Sequence, residues 1–141
     1  MKRTMIGVFL SIILLCSCAD ISSGTISINE NLFISNVNEI YLNKDNYIGK
    51  KIKYEGIFDV DTNGTDEYNH NYVIRYGPGC CGNDANVGFE ILWDGEYPQE
   101  NDWVQVEGAF ETYDDKGIDR LRVRVKKLTV KETRGKENVT Q

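Results

Sequence analysis

The chain has 141 residues, 40% hydrophobic and 27% charged, with four Cys, thirteen Gly and two Pro. That is enough for one domain of ordinary size and excludes collagen-like, coiled-coil and polytopic membrane classes. Sixteen Lys and Arg against 22 Asp and Glu give a net charge of -6, the wrong balance for a general nucleic-acid binder, which needs clustered cations to displace counterions.

Residues 1–17 read as an export signal. Lys2 and Arg3 form a positive start, and Met5 to Leu15 is an apolar run broken only by Gly7 and Ser11, too short for a mature span of about 20 residues. Leu15-Cys16-Ser17-Cys18 looks like a bacterial lipoprotein box, with Cys18 as the lipidated new N-terminus. Two acyl chains suffice for stable anchoring where one is marginal. The expected location is therefore the bacterial cell membrane, lipid-anchored on the extracytoplasmic side. Losing Lys2 and Arg3 takes the net charge from -6 to -8. Residues 18–31, rich in Ser, Gly and Asn, read as the lipidated Cys and a flexible tether.

Ser35 or Asn36 is the expected cap of a short helix through Leu42, with Val37, Ile40 and Tyr41 on one side. Strand alternation dominates from Lys51 onward, because successive side chains face opposite sides of a sheet. The expected strands are Lys51 to Phe58, Asn71 to Tyr76, Val87 to Trp93, Trp103 to Glu111 and Arg120 to Val130. In the last, the apolar register moves at Lys126-Lys127 from Leu121, Val123 and Val125 to Leu128 and Val130, which is the signature of a bulge. Asp61 to Gly64, Pro78-Gly79, Asp94-Gly95 and Asp114 to Gly117 carry the turn chemistry between strands. The fold class is mostly β: a small five-stranded OB-like barrel with one short N-terminal helix, preceded by a signal peptide. The barrel is placed at residues 32–130, with 131–141 a polar tail expected to fray.

Three segments could carry chemistry. Cys80-Cys81 with Asp84 sits between Pro78-Gly79 and Gly82-Asn83, residues that favour a loop in which both thiols converge. Adjacent Cα atoms lie about 3.8 Å apart, below the usual disulfide span, so a bond between the two would be strained and easily reduced. Packed thiols, thiol redox chemistry and a soft metal such as zinc or copper all remain open. His70 is too far along the chain to be expected as a ligand. Asp59, Asp61 and Asn63, followed by Gly64, match the first half of a calcium loop, but the twelfth position is His70 where a bidentate Glu belongs. An acidic hairpin loop explains the same residues. Between Lys116 and Lys136, nine basic residues face only Asp119 and Glu132. Arg120, Arg122, Arg124 and Lys126 share a strand face, as a contact for an anionic surface or as a cross-strand partner for Glu107 and Glu111.

The Cys-Cys-Gly-Asn-Asp-Ala run of residues 80–85, together with Tyr47 to Ile52 and Gly56 and with Asp102 to Gly108, resembles the C-terminal OB-like domain of an uncharacterised bacterial membrane-protein family. The similarity covers Ile40 to Val130, and Cys-Cys-x-x-Asp-Ala is its specific element. The family's domain is typically encoded beside a predicted permease and preceded by transmembrane helices, which implies a membrane-protein partner; here a lipid anchor stands in place of the helices. No nucleophile with a matching base, complete metal set or phosphate-cradling loop supports catalysis, so the chain is not expected to be an enzyme. The leading expectation is a lipid-anchored extracytoplasmic binding module engaging a membrane partner or small ligand through the Cys80 to Asp84 loop. The alternative is a metal-binding or thiol-redox accessory lipoprotein using Cys80 and Cys81.

Overall fold

Alternation along five long strands closes the molecule on itself. The computed structural model describes residues 24–61 and 69–140; the segment expected as an export signal, Cys18 and Asn63 lie outside them. In chain order come β1 (Ile26–Ser27), a 3-10 turn (Glu30–Leu32), α1 (Phe33–Leu42), a second 3-10 turn (Lys44–Asn46), β2 (Lys51–Asp61), β3 (His70–Gly79), β4 (Gly82–Leu92), β5 (Trp103–Asp115) and β6 (Ile118–Val130). The strand order is β2-β3-β4-β6-β5 with β5 returning to β2, and only the β4–β6 contact within this ring is parallel. That is the five-stranded Greek-key barrel of the OB type, as alternation implied.

Closure depends on β2 serving two neighbours. Its first half pairs with β5, from Lys51 opposite Ala109 to Ile57 opposite Trp103. Its second half pairs with β3, from Ile57 opposite Ile74 to Asp61 opposite His70. The strand changes partners at Gly56, where a Cβ would stand 2.5 Å from the Ile74 carbonyl oxygen, so the close approach requires glycine. The second device is the bulge in β6: Glu107 faces Lys127 and Gly108 faces Val125, leaving Lys126 as the extra residue where the apolar register moves.

Inward residues fill the barrel with aromatic contacts. Phe89 meets Tyr54 and Phe110 edge-on, with ring centroids 5.6 and 5.1 Å apart. α1 covers one end through Phe33, Val37 and Ile40, a stripe at i, i+4 and i+7. The helix begins earlier than expected, and neither Ser35 nor Asn36 caps it. Asn29 accepts from the Asn31 backbone at 2.9 Å and so caps the preceding 3-10 turn, which runs directly into α1.

Both ends of the domain are docked. β1 runs parallel to β2, Ile26 opposite Ile52, so the segment expected as tether is already part of the sheet by Ile26. The tail expected to fray is held as well. Where β2 leaves β3 for β5, the edge of β3 is taken by the tail: Tyr76 N–H donates to Glu137 and Val139 N–H to Tyr76, both at 2.8 Å. Val139 is 3% exposed and joins the core. The gap beneath holds Arg75, 3% exposed, its guanidinium 4.9 Å from the Phe33 ring and 5.0 Å from the Trp103 ring. It donates to the Glu55 carbonyl at 3.0 Å, Glu30 Oε1 at 3.2 Å and the Lys136 carbonyl at 3.0 Å. A buried charge needs such a set, and this one ties together β2, the N-terminal turn and the tail. No helix among the described residues is long and apolar enough to cross a membrane.

Candidate functional site

The β3–β4 hairpin has a two-residue loop, Cys80-Cys81, because Gly79 pairs with Gly82. Between that pair and Gly77 opposite Ala85 the register slips by one, leaving an extra residue on β4 opposite Pro78. Proline has no N–H to lose from the ladder, so the bulge falls where it is cheapest. The extra residue lets Asp84 fold back over the turn. A Cβ on Gly79 would fall on the Asp84 carboxylate, so the glycine makes room for it, and Gly82 at φ +121° supplies the backbone that the loop needs.

The result is convergence. Cys80 Sγ lies 3.4 Å from Cys81 Sγ and 3.8 Å from Asp84 Oδ2, and one donor atom from each residue falls within 4.8 Å of the others. A tetrahedral ion about 2.3 Å from each sulfur would hold two sulfurs about 3.8 Å apart, so little movement separates this arrangement from a ligand set. Two thiolates and a carboxylate suit a soft or borderline cation such as zinc or copper. Both thiols are free and exposed, which removes the reading in which they pack as small hydrophobes.

The other expected residues fall elsewhere. His70 is at the opposite end of β3 and lies 3.0 Å from Glu90 Oε1 through Nδ1. Asp59 and Asp61 belong to β2 and not to a loop, while Asn63 and the rest of 62–68 lie outside the described residues. Asp59 accepts from Asn86 at 3.3 Å; burial, then Glu100 and Asp61, raise its pKa. The basic stripe is engaged by neighbours: Arg120 with Asp115 at 2.5 Å, Arg122 and Arg124 with the two oxygens of Glu111 at 2.7 and 2.8 Å. Lys126 is exposed at the bulge.

Two features escaped sequence reasoning. The Tyr113 hydroxyl donates to Glu90 at 2.7 and 2.9 Å, giving a partly buried His70, Glu90 and Tyr113 cluster in which Glu90 is only 8% exposed. Burial, then Glu90, pushes the Tyr113 pKa up, which keeps its hydroxyl a donor. The signal was weak, since Glu90 reads as an ordinary outward residue of β4 and Tyr113 lies beyond the expected end of β5. The second is a cleft of about 680 Å³ beside α1, lined among others by Tyr41, Asp59, Asp61, Tyr72, Asn86 and Glu100. It lies along the β3–β4 side, the face with which OB barrels often bind ligands, and it is acidic.

No curated protein and no solved structure is matched by this chain. The family model described as the DUF1980 C-terminal domain matches residues 17–139, which takes in the whole barrel, the Cys80 to Asp84 hairpin and the docked tail, and the chain therefore belongs to that family.

Proposed function

We propose that this domain is a lipid-anchored, extracytoplasmic binding module that holds a soft cation on the tip of its β3–β4 hairpin and acts there as an accessory to a membrane protein, without catalysis of its own. The observation that carries this is the convergence of Cys80, Cys81 and Asp84 within 4.8 Å on a loop whose flanking glycines and bulge serve that convergence. Nucleic acid is disfavoured as a partner, because Asp59, Asp61 and Glu100 line the cleft and Arg120, Arg122 and Arg124 have carboxylate partners.

Titrating the reduced mature chain with zinc and with copper(I) tests the reading. One ion per chain is expected, and Cys80→Ser should abolish binding; no uptake by fully reduced protein would overturn it. Calcium, the other cation suggested by Asp59, Asp61 and Asn63, should leave the melting temperature unchanged against chelator. The 3.4 Å sulfur contact favours one second reading, a vicinal disulfide used in thiol exchange. Such a bond would be strained and readily reduced, and a free-thiol count on protein isolated without reductant decides whether it forms.

A further inference from the structure

Resting on the soft-cation reading, we propose that the hairpin supplies only three of the ion's four ligands and that the fourth is a side-chain imidazole or thiolate of a partner protein. The hairpin tip is then a place where an ion is passed on, and not one where it is stored.

The first argument is the supply of donors. Cys80, Cys81 and Asp84 form the sole cluster of metal-ligating side chains among the described residues. His70 stands at the far end of the same ten-residue strand, about 30 Å away at strand rise, and is engaged with Glu90. Structural sites close with four protein ligands, whereas sites that exchange a ligand keep a position open. The second argument is access. Residues 78–84 form an unbroken exposed run, so an ion bound by the two thiolates and the carboxylate presents its remaining position to solvent. None of the described residues covers it.

Charge decides between a second copy and a different partner. Residues 18–115 carry five basic and nineteen acidic residues, and two hairpins closing on one divalent ion would gather four thiolates and two carboxylates against it. Like-charged surfaces of this kind repel, which favours a partner whose donor arrives on a less acidic surface. The exchange step is simple in its balance. Water leaves the ion as the partner's donor enters; an imidazole enters neutral and releases no proton, a thiol releases one to solvent, and the ion keeps its charge throughout.

Cobalt(II) titrated into the mature chain under a phosphine reductant reads the coordination directly. Expected is one equivalent per monomer with a sulfur-to-metal charge-transfer band that is lost in Cys80→Ser. Added imidazole, standing for the partner's side chain, should then shift the visible ligand-field bands and tighten cobalt binding about tenfold while the chain stays monomeric. Half an equivalent per chain with doubled mass would mean that two hairpins close the site and would overturn the inference while leaving the soft-cation reading intact. A 1:1 complex indifferent to imidazole would overturn it in the same way. Absence of any sulfur-to-metal band would sink the underlying reading itself.

Discussion

At Gly79 the missing side chain is what the site is built on, since the Asp84 carboxylate occupies the place of its Cβ. Gly79→Ala should therefore push Asp84 away from the two thiols while leaving the outer β3–β4 pairing in place. Soft-cation affinity, measured by competition with a coloured chelator, should fall about tenfold to a hundredfold, the range seen when a ligand loses its support. Unchanged affinity would remove Asp84 from the ligand set. Glu111 offers a residue-scale test of the arginine stripe. Partial burial works to raise its pKa, but hydrogen bonds from Arg124 and Arg122 prevail and hold it below the ordinary 4.5. A carboxyl lowered in the folded state contributes stability that is complete above the unfolded value and is lost as pH falls through the folded one. Glu111→Gln should cost roughly 1 kcal/mol near neutral pH, and the gap in denaturant midpoints should narrow steadily below about pH 4.5. A gap independent of pH would mean that packing, not charge, holds Glu111.

Among the elements, the C-terminal segment makes the least expected contribution. Val139 plugs the core at the place where β2 leaves β3, and the Lys136 carbonyl accepts from buried Arg75. Val139→Ala removes two buried methyl groups, worth about 2 kcal/mol with the cavity left behind. Thermal melts of this variant against Val130→Ala, which trims an exposed valine, should show a large shift for the first and almost none for the second. Equal shifts would place the tail outside the cooperative unit. The five strands and the bulge at Lys126 could be read from alternation, because period-two patterning survives in any sheet with one buried face. The tail could not be read: one valine among polar neighbours has no period, and its partner edge exists only once β2 has bent. Arg75 hid for the same reason, sharing a face with Val73 that becomes the inner one through strand order alone. The thiol pair and Asp84 announced themselves through flanking Pro and Gly. The Glu90 and Tyr113 contact needs β4 and β5 to be brought together around β6, and pairings of that separation leave no local trace.

For the molecule as a whole, the proposed extracytoplasmic anchoring raises the question of what would hold it at a membrane. Each free Lys or Arg near an anionic surface is worth about 1 kcal/mol, so an unpaired stripe of Arg120, Arg122, Arg124 and Lys126 would be an anchor in its own right. Three of the four instead have carboxylate partners on β5, Asp115 taking Arg120 and Glu111 taking Arg122 and Arg124. Lys127 stands opposite Glu107, and residues 18–141 carry 14 basic against 22 acidic side chains. Protein electrostatics then oppose attachment, and the lipid anchor proposed on Cys18 is what would supply it; two acyl chains are enough and none is not. Cys18→Ala, exported through an ordinary secretory signal so that processing is unaffected, is expected in the soluble extracytoplasmic fraction, and purified unlipidated chain should fail to sediment with phosphatidylglycerol vesicles at low salt. Sedimentation that disappears as salt is raised would show that the arginines leave Glu111 for lipid. Were the variant instead retained at the membrane in cells while ignoring vesicles, a protein partner would be the second anchor, and Cys80→Ser combined with Cys18→Ala would then show whether the hairpin makes that contact.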